Sequence, residues 1–325
     1  MMRMFRRLGS MPVALLGMIA LLIGALVNNE VAGYSAWLVV VPLGLLSLNL
    51  LLAMCFNPRI YRDQALLLFH AILSLMVVLM ALGQLLYFQG NLELVAGQMM
   101  DSNDIRVLKR GPLHRLKLDY MEIIQGPYSV DYVPRNYRQK TFSQLQVNRG
   151  NQTPTVLVAG DDIPAVINGY RFYTTSNKGF STLLRWESDA GDSILGSINF
   201  PSFPAREWAQ RQTWVTPAGQ PLLLRLKTNK RSNLERDWTL SDKNLQGVLE
   251  VSLEGSALSL AQGEGIKLTG GRLVYQSLSM WMGYKISYDP VLRWLFLAAV
   301  FAVAAMAWYL FRSQTVVFRS LKHDG

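Results

Sequence analysis

Four long apolar runs, at 11–27, 36–56, 64–88 and 291–311, constrain this chain more than anything else in it. A helix rises 1.5 Å per residue, so about 17–25 apolar residues cross the hydrocarbon core of a bilayer. Three of the runs crowd into the first 90 residues and one closes the chain, while the middle reads as ordinary soluble protein. Only 17% of the 325 residues are charged, against roughly a quarter in a typical soluble domain. The pattern predicts an α+β membrane protein of four transmembrane helices and one large extramembrane domain. Arg3, Arg6 and Arg7 before the first run could also open a signal peptide. No small-x-small cleavage site follows, however, and a second apolar run begins within about ten residues, so we expect an uncleaved helix.

Basic residues set the orientation. Arg3, Arg6 and Arg7 precede the first run, Arg59 and Arg62 separate the second from the third, and Arg312, Arg319 and Lys322 follow the fourth. The short loop "NNEVAGYS" between the first two runs carries neither Lys nor Arg. Both termini and the second loop are therefore expected in the cytoplasm, with 89–289 outside it between membrane regions 1–88 and 290–325. Within 89–289 there are 23 Lys plus Arg and 19 Asp plus Glu, a difference of +4 out of the chain's +10. The pI near 9.7 thus reflects mainly the cytoplasmic rim and gives no reason to expect nucleic acid. The single cysteine, Cys55, lies near the end of the second run, so the outer domain holds no disulfide, CxxC pair or thiolate metal site.

Short alternating segments fill the outer domain, among them 113–125, 140–147, 154–160, 170–176, 181–188, 222–228, 247–255, 266–278 and 284–290. Gly, Pro and Asn turns separate them. Eight to twelve short antiparallel strands in a sandwich or open barrel are expected, with one short helix at 203–212. Tyr170, Phe172, Tyr173, Phe180 and Trp186 read as core and cross-strand pairs. His114, without Cys or a second His nearby, reads as a half-exposed strand residue rather than a ligand. Asn151 formally matches a glycosylation sequon, which the topology makes irrelevant. No catalytic constellation is visible.

His70 is the exception inside an apolar run, "QALLLFHAILSLM". An imidazole buried in hydrocarbon without partners costs several kcal/mol, so intramembrane ionisable residues usually face a bundle interior or a cofactor. A proton relay needs further ionisable groups at the same depth, which the other runs lack. A mononuclear metal needs three or four ligands, and only Met54, Cys55 and Met76 are near. Haem needs one protein ligand per face and suits an apolar groove. From the residues alone two readings stand: a haem axial ligand, and a structural hydrogen bond to a neighbouring helix.

The arrangement resembles the ResB family of System II cytochrome c biogenesis membrane proteins over nearly its full length. "LSLNLLLAMCFNPR" (46–59) resembles that family's second helix, and "LLLFHAILSLMVVLMALGQLL" (66–86) its third, with a histidine near the cytoplasmic side. "GNLELVAGQ" (90–98), "GYRFYTTS" (169–176) and "YKISYDPVLRW" (284–294) resemble its outer-domain segments and the approach to its last helix. The resemblance implies a bacterial cytoplasmic (inner) membrane location with a periplasmic domain. It also implies that His70 is an axial ligand of haem b, with the second ligand from a haem-delivering WWD-type membrane subunit and apocytochrome c as client. The chain departs from the family in "DPV" for "DPG" and in "FRSQTVVF" after its last helix, and it has no WWD-type segment. It is therefore expected to act as one component of a maturation complex and not as a complete haem lyase. The alternative expectation is a non-haem membrane anchor whose β-domain binds another envelope protein.

Overall fold

Leu and Ala in the apolar runs favour helix, in which each backbone N–H and C=O finds its partner within the same segment. A computed structural model describes residues 2–30, 35–118, 121–148, 153–253 and 256–323, with side chains at 2, 3, 6, 29, 30 and 313–323 excepted. The helices are α1 (Met2–Leu8), α2 (Met11–Glu30), α3 (Trp37–Phe56), α4 (Pro58–Tyr61), α5 (Gln64–Leu86) and α6 (Leu292–His323). Four of them, α2, α3, α5 and α6, contain stretches long and apolar enough to cross a membrane. The third expected run ends two residues early, because Tyr87 turns extended (φ −63°, ψ 144°) and Phe88 begins a strand. The Arg3, Arg6, Arg319 and Lys322 side chains, loop residues 31–34 and Asn151 lie outside what is described.

The chain divides into two compact units, one holding the helices (1–89, 107–115 and 287–325) and one built of strands (90–106 and 116–286). In the helical unit α3 packs on α2 and α5, and α5 also packs on α6. Two side-chain caps fix the turn between α3 and α5. Asn57 Oδ1 accepts from Arg59 N (3.1 Å), and Asp63 Oδ1 accepts from the N–H groups of Ala65 (3.0 Å) and Leu66 (3.1 Å).

Pro42 sits inside α3 and has no N–H to offer the Leu38 carbonyl four residues back. That carbonyl faces Gly24 of α2, where an added Cβ would stand 2.1 Å from it. Gly24→Val is expected to force the two helices apart, at a cost of about 1–3 kcal/mol, read as an earlier thermal midpoint in detergent. Asn49, buried in the middle of α3, donates to the carbonyls of Leu8 (2.5 Å) and Ser10 (3.2 Å). It thereby ties α3 to the backbone where α1 gives way to α2, sharing the Ser10 carbonyl with the Ala14 N–H.

The strands are β1 (Phe88–Val95), β2 (Arg106–Arg110), β3 (Glu122–Val133), β4 (Tyr137–Asn148), β5 (Thr155–Gly160), β6 (Ala165–Ile167), β7 (Tyr170–Ser188), β8 (Ser193–Asn199), β9 (Arg211–Val215), β10 (Pro221–Thr228), β11 (Trp238–Ser241), β12 (Gly247–Leu253), β13 (Ser256–Leu260), β14 (Gly265–Leu268) and β15 (Gly271–Tyr288). In the largest sheet of the strand unit β1, β15, β7 and β6 follow one another, with β14 on β15 and β8 on β7. Two further sheets run β13-β12-β10-β9 and β11-β3-β4-β5. Their ladders are antiparallel, and alternation puts Leu222, Leu224 and Leu226 of β10 in the core.

The expected short strands are partly longer ones. Segments 170–176 and 181–188 form one strand of 19 residues, β7. It runs through "NKG" without a break, and a Cβ at Gly179 would meet Trp281 Nε1 at 3.1 Å and the Pro201 carbonyl at 3.2 Å. The expected strand at 113–125 begins only at Glu122. Before it, the Lys117 backbone is taken up by side chains, its N–H by Tyr170 Oη (3.2 Å) and its carbonyl by Asn168 Nδ2 (3.2 Å). The helix expected at 203–212 is a single 3₁₀ turn, Glu207–Ala209.

Tyr170, Phe172, Phe180 and Trp186 are buried as expected, and Tyr173 is half-buried. A polar knot crosses this core. Tyr284 Oη lies 2.6 Å from both Gln125 Oε1 and Ser143 Oγ, and Gln125 Nε2 donates to Ser143 Oγ at 2.9 Å.

Lys178 is 2% exposed, with its ammonium 5.6 Å from the centre of the Tyr132 ring. Burial, aided by Arg138 and opposed by Asp161, lowers its pKa from 10.5 to about 8. The unfolded chain holds this proton more tightly, so stability falls as pH drops from 10.5 towards 8 and the cost is complete below 8. That cost is on the order of 3 kcal/mol. Lys178→Met is expected to raise stability at pH 7 by about 1–3 kcal/mol and to leave it almost unchanged at pH 11, as urea titrations at the two pH values would show.

Candidate functional site

His70 lies six residues into α5 from Gln64, a rise of about 9 Å. Asp63 fixes the start of that helix through its cap, and so the distance of His70 from the capped turn. Ser74, one turn further on, meets Ser47 of α3 (Oγ to Oγ, 3.4 Å). Residues four apart share a helix face, which puts His70 on the α3-facing side of α5. The ring is half-buried and stands edge-on to Phe69, with centroids 5.6 Å apart.

Nδ1 of His70 is 2.8 Å from the carbonyl of Leu66, one turn back in the same helix. A carbonyl only accepts, so Nδ1 carries the proton and donates it. In the neutral ring Nε2 then keeps the lone pair. The hydrogen bond described for His70 is therefore internal to α5 and not directed to a neighbouring helix. Histidines that ligate metals commonly anchor the second nitrogen on a carbonyl or carboxylate, which fixes the ring and raises the basicity of the ligating nitrogen. Anchored in this way, the His70 ring keeps Nε2 as its ligating nitrogen, and its helical neighbours Leu66, Leu67 and Leu73 are apolar.

Cys55 is exposed on α3, and among the described residues no three of His, Cys, Asp and Glu come together as metal donors. A cavity of about 340 Å³ in the helical unit is lined by Gly9, Met11, Leu52, Ala53, Phe56 and Asn57, among others, and His70 is not part of its wall.

His114 is not the half-exposed strand residue the sequence suggests. It is 5% exposed and follows a turn, with Nδ1 3.0 Å from the Leu86 carbonyl at the end of α5. Phe88 stacks on its ring (4.8 Å, 20°) and Tyr288 meets it edge-on (5.3 Å). Its partners lie far away along the chain, so nothing local in the sequence signals this burial. Asn49 was equally invisible as a structural residue, although a lone amide in an apolar run is a signal of the same kind as His70.

The fold and site define a chain of four potentially membrane-crossing helices joined to antiparallel sheets, with one anchored imidazole on an apolar helix. No protein-family model matches it, and no curated protein does.

Proposed function

We propose that this chain is a membrane component of a c-type cytochrome maturation complex, in which His70 is one axial ligand of a haem b held among the helices. The observation that carries the reading is the His70 Nδ1–Leu66 carbonyl bond, which leaves the Nε2 lone pair as a fixed ligating site among apolar side chains. In this reading α2, α3, α5 and α6 cross the bacterial cytoplasmic membrane. Arg7, Arg59, Arg62 and Arg312, all exposed, lie on the cytoplasmic side, and the strand unit lies outside. A WWD-type subunit supplies the second ligand, and apocytochrome c is the client.

Haem, when bound, brings the vinyl groups to which cytochrome thiols add. The chain's own residues do simpler things. Leu66 holds the imidazole proton on Nδ1, His70 presents Nε2, and the leucines around it exclude water from that face. Thioether formation belongs to the complex.

Haem staining of membranes from a deletion strain tests the function. Loss of covalent cytochromes c, restored by the wild-type gene, is the expected result. Normal cytochromes c in the deletion strain would refute it and favour the second reading, a membrane-anchored β-domain that binds another envelope protein. The exposed Trp208 of the strand unit, 81% accessible, is the observation on that side.

A further inference from the structure

Within the strand unit a cavity of about 340 Å³ opens where β10 ends, between that strand end, residues 203–210 and residues 230–231. Arg225, Lys227, Lys230 and Arg231 line it, against one carboxylate, Glu207. That carboxylate is already engaged, since Ser232 donates to it from both its backbone N–H (3.3 Å) and its hydroxyl. Two of the cations are occupied too: Lys227 pairs with Glu250, and Lys230 Nζ donates to the Lys243 carbonyl (2.6 Å). The guanidiniums of Arg225 and Arg231 have no hydrogen-bond or ion-pair partner among the described residues; Glu250, across the ladder from Arg225, is paired with Lys227 instead.

Four cations against the engaged carboxylates of Glu207 and Glu250 leave this concave surface positive, and the planar fork of each unpaired guanidinium matches a carboxylate with two parallel hydrogen bonds. Gln210 belongs to the same wall and is 7% exposed. Its Nε2 donates to the carbonyls of Pro201 (3.0 Å) and Arg206 (2.8 Å), while its Oε1 has no partner among the described residues. Trp208 also lines the cavity and is 81% exposed. A large indole left in water beside free arginines combines the side chains that most often dominate protein interfaces.

We propose that this cavity is the docking site for an acidic peptide segment of a partner protein. Carboxylates of the segment pair with Arg225 and Arg231, and its apolar side chains cover Trp208. A small inorganic anion would use the guanidiniums and leave the indole bare, which is why the peptide is the better fit. The proposal deepens the partner role given to the strand unit, but no haem enters its test, so it stands or falls apart from His70.

The test uses the full chain in nanodiscs and a fluorescein-labelled peptide of six alternating valines and aspartates, with the lysine-for-aspartate peptide as control. Fluorescence anisotropy is expected to show binding of the acidic peptide only. Affinity should fall about tenfold or more in Arg225→Glu/Arg231→Glu and several-fold in Trp208→Ala, with the wild-type melting curve kept. If the double variant fails to fold, Arg231→Gln and Trp208→Ala decide by the same measure. Equal binding of both peptides, undiminished binding by folded variants, or complete displacement by millimolar inorganic phosphate with no effect of Trp208→Ala would overturn the proposal.

Discussion

Tyr284→Ala is expected to destabilise the strand unit by about 3–5 kcal/mol, the range for removing a large buried aromatic. The residue is fully buried, its ring meets Phe172 edge-on at 6.2 Å, and its hydroxyl closes the knot with Gln125 and Ser143. Burial pushes its pKa well up, with the Ser143 and Gln125 hydrogen bonds opposing, so it enters the knot as a neutral phenol. Tyr284→Phe separates the two contributions. It keeps the ring, and costs about 1–3 kcal/mol because buried polar atoms on Gln125 and Ser143 lose a partner. Urea denaturation followed by tryptophan fluorescence measures both. A Phe variant as destabilised as the Ala variant would show that the knot, and not the packing, holds these strands together.

The helices are legible in the sequence because a span announces itself locally, by an unbroken run of apolar residues and a cap such as Asp63. The strands are less so. Segments 170–176 and 181–188 read as two strands, yet β7 runs through both, with Gly179 packed against Trp281 and Pro201, residues no local pattern connects to it. Likewise 113–125 alternates like a strand, but its first half is not one, and Tyr170 and Asn168 take the Lys117 backbone groups. His70 stands out in the sequence by polarity alone. Its Leu66 anchor follows from the helix, since four residues separate the two, but which nitrogen is committed is visible only in the ring's orientation. The cluster around Arg225 and Arg231 is dispersed among ordinary strand and loop residues, and only the fold gathers it at one cavity.

Under the proposed function, His70→Ala is expected to abolish haem binding or change its ligation outright, because no second imidazole is described on α3 or α5 to replace it. Substituting the ring also frees the Leu66 carbonyl, which remains bonded within the helix, so the helical unit should still fold. Added imidazole, filling the vacated space with a free ligating nitrogen, should restore the signal in part, which a purely structural histidine would not allow. The most direct measurement is therefore the absorption spectrum of the chain purified with its partner subunit, wild type beside His70→Ala, with and without imidazole. The expected result is a Soret band in the wild type that is lost or shifted in the variant and partly recovered with imidazole. An identical Soret band and haem content in the two proteins would contradict the assignment of His70 as a haem ligand.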